Sequence, residues 1–233
     1  MSSQHLKPDD MIKKICLIVF CTIVAALHLC AQNKTFCDSC IVVAQNYIWK
    51  YSYEKDKLLL DSAMLTLDMA RPNCTDHPNL ILEKLEVYSL KRQYDTAIFF
   101  LEEVRDEFVS VSAMPFYWTN CKNRFYAMKY EYEGDFNKRD KYIRHIVKDM
   151  HGYLKANQQA LDSICSGDNF IEISMNTLGW SQWLYFYYLR VIERNKNFHR
   201  KLYALLRKGY NHDYIEEIRK TTIEDDFLTF PGY

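Results

Sequence analysis

From residue 39 onward apolar side chains recur at helical intervals through most of the chain. In 78–91, Ile81, Leu85 and Tyr88 fall at steps of four and three. In 95–108, Tyr94, Ala97, Ile98, Leu101, Val104 and Phe108 line one face, while Phe99 points elsewhere, as Leu65 does one hairpin earlier. A second apolar face is expected where a helix touches both its own partner and the next hairpin. The pattern predicts helices over about 39–51, 56–69, 78–91, 95–108, 117–133, 136–149 and 153–165. One helix follows the loop Ser166-Gly167-Asp168-Asn169, and two more lie near 197–208 and 212–224. Pro72 stops the second helix, Asp76 or His77 precedes the third, and Gly134-Asp135 turn the chain between the fifth and sixth. Residues 109–116 (VSVSAMPF) form a linker, and the tail ends Phe230-Pro231-Gly232-Tyr233. The most apolar run, Trp183 to Ile192, is interrupted only by Arg190; it is too short to span a membrane and predicts burial on several sides.

Two of these segments are versions of one phrase. LDSAMLTLDMA (60–70) and YDTAIFFLEEV (94–104) align without gaps 34 positions apart. Asp61 matches Asp95, Ser62 Thr96, Ala63 Ala97, Leu67 Leu101, and Asp68 Glu102. A period near 34 is a signature of stacked helical hairpins. The pattern resembles the tetratricopeptide repeat (TPR), which has this period. The second hairpin supplies Tyr88, Tyr94, Ala97, Leu101 and Val104, and the first supplies Ala63, Leu67 and Ala70. A third supplies Ala127, Tyr130, Gly134 and Phe136, then departs with Arg139 where Ala is expected. The closing proline is missing from the second and third units. The resemblance spans roughly 40–150 and implies an all-α fold of antiparallel helical hairpins stacked as a TPR-like array, with a C-terminal helical extension. It also implies binding of another protein or peptide in a groove, through Tyr and charged residues of the first helices.

The start of the chain carries different information. In MIKKICLIVFCTIVAALHLCA (11–31), Lys13 and Lys14 precede an apolar stretch of secretory length, Ile15 to Leu27, and Ala31 offers a small residue before a cut. Met11 reads as the natural start. Leu29 fits poorly both as the small residue before the cut and within a lipobox ending at Cys30, so cleavage, lipidation of Cys30 and retention as an anchor stay open. The ending CAQ is similar to signal peptides of Bacteroidetes-type bacteria. The expected partition is 1–31 extension and signal, 32–150 helical repeats, and 151–233 C-terminal helical region, with the protein in the periplasm or envelope of a Gram-negative bacterium. Asp-Ser-Ala (61–63), Asp-Thr-Ala (95–97) and Asp-Ser-Ile (162–164) are similar to short O-glycosylation sites of such exported proteins, although helix packing accounts for the first two without sugar.

Composition narrows the classes. Six Gly and five Pro are few for many short strands. Lys+Arg and Asp+Glu are both 30, so the basic excess of a nucleic-acid binder is missing. Removing 1–31 takes three Lys and two Asp, leaving 27 basic and 28 acidic residues. The remaining cysteines are Cys37, Cys40, Cys74, Cys121 and Cys165. In an oxidising compartment Cys37 or Cys40, at the head of the first helix, could reach Cys74 beyond the tail of the second, and the odd number leaves at least one thiol over. Redox use of Cys37-x-x-Cys40 lacks its preceding strand, and a zinc site there would have to draw on His77.

Other candidate chemistry is sparse. His145, Asp149 and His151 fall in one helix-plus-turn stretch, with His145 and Asp149 four apart. Trp180, Trp183 and Tyr187, at steps of three and four, form either a stacking platform or a core stripe. No nucleophile elbow, phosphate-cradling glycine loop or dinucleotide fingerprint occurs. The expectation is an exported, non-enzymatic interaction module without a cofactor or a resident metal. The alternatives are a periplasmic immunity or inhibitor protein, marked by one strongly charged face, and a metal-dependent hydrolase using His145 and His151.

Overall fold

The computed structural model describes residues 35–74, 77–105, 117–193 and 195–224. The expected signal with Cys30, Asp76, Phe108, the expected linker 109–116 and the tail Phe230–Tyr233 lie outside them. Every regular element among the described residues is helical. Two compact units divide between Val87 and Tyr88.

The first unit holds α1 (35–54), α2 (Lys57–Ala70), a 3-10 turn at Arg71–Asn73, and α3 (Pro78–Leu90) up to Val87. On α1, Cys37, Ile41, Ala44 and Ile48 are buried at steps of four, three and four. Lys55 turns the chain with a positive φ of 56°, and Asp56 caps α2 by accepting from the Leu58 N–H at 3.0 Å. Leu60, Ala63, Leu67 and Ala70 make the buried stripe of α2. Pro72 sits in the 3-10 turn, where a missing N–H costs little. Polar ties complete the unit. Gln45 Nε2 donates to Glu83 Oε1 at 2.6 Å, and the buried Lys84 donates to Asp68 at 2.6 Å.

The second unit runs through α4 (Tyr94–Glu103), α5 (Tyr117–Tyr132), α6 (Phe136–Ala156), α7 (Gln158–Cys165), α8 (Phe170–Met175), α9 (Thr177–Ile192), α10 (Asn195–Leu206) and α11 (His212–Glu224). α5 and α6 form an antiparallel hairpin. Its turn needs the positive φ of Gly134 (76°), and Asp135 caps α6 through the Lys138 N–H at 3.1 Å. α4 packs on α5, where the Trp118 indole donates to the Leu101 carbonyl at 2.8 Å and Lys129 pairs with Asp95 at 2.7 Å. The core gathers where α6 crosses α9, around Ile143, Ile146, Met150, Phe186, Phe198 and Tyr214.

Several expected boundaries move, each for a local reason. The break expected between 149 and 153 is absent: α6 passes unbroken through His151-Gly152 because Val147, Met150 and Leu154 keep the apolar step going. It stops at Asn157, whose side chain donates to the Tyr153 carbonyl at 2.9 Å. The expected boundary at 150 therefore falls within α6. The single helix expected after Asn169 is two, α8 and α9. Asn176 leaves helical geometry (φ −80°, ψ 138°) and caps α9 by accepting from the Leu178 N–H at 2.9 Å. The two helices then meet so closely that a Cβ at Gly179 would lie 2.0 Å from the Ile173 carbonyl oxygen.

Candidate functional site

α6 carries Arg144, Lys148, His151 and Lys155 at steps of four, three and four, which places them along one face over about 16 Å. Its opposite stripe, including Ile143, Ile146 and Met150, belongs to the core. Beside the cationic row lies a cleft of about 590 Å³, within the second unit. Its apolar floor comes from Val147 and Leu154 of α6, Leu161 of α7, Phe186 and Leu189 of α9, and Leu205 of α10. Lys201 and Lys208 line it from α10 and the turn after it. Glu193 is the one carboxylate in the lining, and it already pairs with Lys201 at 2.8 Å. Among the described residues no carboxylate lies within ion-pair distance of Arg144, Lys148 or Lys155. The chain as a whole has no net charge, so this row is a local concentration of positive charge.

One end of the cleft is fixed by hydrogen bonds. The Tyr210 hydroxyl donates to Asp162 at 2.5 Å, and Gln158 Nε2 donates to the same carboxylate oxygen at 2.8 Å. The Tyr210 bond is the main reason the Asp162 carboxyl titrates below its usual range. Burial, then Asp162, push the Tyr210 phenol up. Burial also raises the Cys165 thiol to about 12, and this Sγ donates to Gln182 Oε1 at 3.3 Å beneath the floor. A shallower depression of about 330 Å³ continues the row, sharing Arg144 and Lys148 and adding Lys141, His145, Asn137 and Asp140, whose carboxylate pairs with Arg139.

The other sequence candidates fall elsewhere. Cys37 bonds to Cys74 with Cα atoms 5.8 Å apart, and Cys40 is free and half-buried. The choice follows from the helix: Cys37 heads the buried stripe of α1, and Cys40 sits at its edge. His77 Nε2 lies 2.9 Å from Asp38 Oδ1 beside that bond. Of the packing residues, Ala63, Leu67, Ala70, Ala97, Leu101 and Ala127 are buried. Tyr88 lies 5.8 Å from Phe100, Tyr94 meets Tyr132 edge-on at 6.2 Å, and Tyr130 stacks on Tyr142 at 5.7 Å. Phe136 stays outside the core, 53% exposed, with the Arg139 guanidinium over its ring at 4.9 Å.

Trp180, Trp183 and Tyr187 do stack, at 4.6 and 5.3 Å between successive rings. Tyr187 is buried, and the Trp183 indole donates to Thr221 of α11 at 2.9 Å, so the column is packed between α9 and α11. His145 and His151 are both exposed on α6 but six residues apart, on different sides, and His151 faces the cleft beside Tyr185 at 5.8 Å. No group of three metal-capable side chains occurs among the described residues. Apart from His151, the cationic row is not among the residues singled out from the sequence, though its spacing is written in 144–155. Compared with protein-family models, characterised proteins and solved structures, the chain matches none.

Proposed function

We propose that the chain is an exported, non-enzymatic protein–protein interaction module whose hairpins follow the tetratricopeptide-like pattern of its sequence. The groove carries the reading: a half-buried apolar edge, Tyr185, Ile192 and Leu205, beside a row of cations with no carboxylate at ion-pair distance among the described residues suits a surface completed by another molecule. The bond between Cys37 and Cys74 supports export, because disulfides persist in oxidising compartments. The test is crosslinked capture from envelope fractions with the full chain as bait. The expected result is one specific protein recovered in stoichiometric amount; recovery of none ends the reading. N-terminal sequencing of the mature protein is expected to begin after Ala31, and a start at Met1 or Met11 in a soluble cytoplasmic fraction would remove the export step.

A second reading, an immunity or inhibitor protein for one cognate toxin or enzyme, is favoured by the concentration of charge on one face of α6. It requires tight one-to-one binding that blocks the activity of a protein encoded beside it, and an inhibition assay with that neighbour decides it.

A further inference from the structure

We propose that the groove between α6 and α10 docks an acidic amphipathic helix of the partner protein, an inference that rests on the interaction reading above. The helix would set carboxylates against Arg144, Lys148 and Lys155 and its apolar face on Tyr185, Ile192 and Leu205.

Four observations select this occupant. Arg144 and Lys148, and His151 and Lys155, are neighbours one helical turn apart, so their like charges repel when the ring is protonated, and an anion laid along them relieves this. The cations form a row of about 16 Å rather than a cluster, and a ligand with a single carboxylate or phosphate head would meet one or two of them. A second helix presents side chains at the same alternating steps of four and three, so its carboxylates match the row along about three turns. The floor separates this occupant from a nucleic acid: a phosphate backbone could follow the row, but Tyr185, Ile192 and Leu205, the half-buried apolar side chains of the lining, would then remain uncovered. At the far side Lys201 is already neutralised by Glu193, which leaves Lys208 as the cation facing the row of α6 across the groove.

The test is a fluorescence titration of the full chain with a synthetic helical peptide. It carries glutamates at alternating steps of four and three on one side and leucines on the other. Lys148 and Lys155 are exposed, so the double variant K148E/K155E keeps its helicity and melting temperature. Wild type is expected to bind the peptide. K148E/K155E should weaken binding by roughly tenfold or more, K148R/K155R should retain it, and Leu205→Ala should weaken it without altering its salt dependence. Equal affinity of wild type and K148E/K155E overturns the proposal. So does equal binding of a same-composition peptide with scrambled glutamates, which would reduce the effect to net charge. Tighter binding of single-stranded nucleic acid or anionic phospholipid vesicles through the same lysines overturns it in favour of that polyanion. Envelope capture separates this failure from that of the interaction reading. A partner still recovered by K148E/K155E removes the groove and leaves the reading standing, whereas no partner for either chain removes both.

Discussion

The first unit has an aliphatic core, Ile41, Ile48, Leu60, Leu67, Leu80, Ile81, Leu85 and Val87 with the small Ala44, Ala63 and Ala70, whereas the second also buries Phe125, Phe198, Tyr188 and Tyr214. Alanine lets helices approach but removes little apolar area from water, and each buried aromatic removes several times more. The first unit adds a covalent tie, Cys37 to Cys74, across 37 positions of sequence. The second keeps Cys121 and Cys165 as free, buried thiols. Small domains whose cores are thin commonly rely on such staples, and larger aromatic cores do without them. The two units should therefore fail under different stresses.

The largest expected effect is confined to the first unit. Reducing the bond, or Cys37→Ala with Cys74→Ala, should cost it about 2–5 kcal/mol, with loop-closure entropy alone near 4 kcal/mol. Hydrogen exchange should show protection falling in α1 and α2 while α6 and α9 are unchanged. Equal loss in both units would break the comparison. The mirror experiment is Gly179→Ala, where the new Cβ meets the Ile173 carbonyl and should cost the second unit about 3 kcal/mol, read by denaturant melting.

Alkaline pH should also discriminate. Burial raises the Tyr188 phenol to about 12, against a weaker opposing influence of Arg124, and it also raises Tyr210 and Tyr214. A folded pKa above the unfolded value of about 10 gives stability that is complete below pH 10 and lost as pH rises through the folded value. The second unit should lose on the order of 2 kcal/mol from Tyr188 between pH 10 and 12. Tyr188→Phe should flatten that slope in a melting series. The smallest expected effect is Asp68→Ala. It leaves the Lys84 ammonium without this partner, but the carboxylate is half-exposed, so the loss in the first unit should be about 1 kcal/mol by thermal melting.

The helices were legible where periodicity and punctuation agreed. Asp56, Pro72 and the Gly134-Asp135 turn are local signals, and the structure places element ends beside each of them. The break expected between 149 and 153 is absent, since the helix runs on through it. What overrides it is the burial of Met150 and Leu154 against other helices, which no window of sequence contains. Asn176 failed in the opposite direction, since one asparagine among apolar residues reads as helix interior until its cap is seen. The cleft was half-legible. Its α6 row is a spacing, but Lys201, Lys208 and Leu205 join it only because α10 packs beside α9. The cysteine pair was narrowed to two alternatives by position, and the phase of the α1 stripe decided between them.

The buried cysteines of the second unit have a consequence for how the chain acquires its bond. With thiols held at about 12, Cys121 and Cys165 are almost wholly protonated near neutral pH, and the thiolate is the species that attacks a disulfide. Once α5, α7 and α9 have closed over them, they leave the competition. Among the five cysteines of the described residues the contest then narrows from ten pairings to three, among Cys37, Cys40 and Cys74. The order in which the two units fold thus sets the fidelity of oxidation: a chain whose aromatic core forms first has fewer wrong bonds to make.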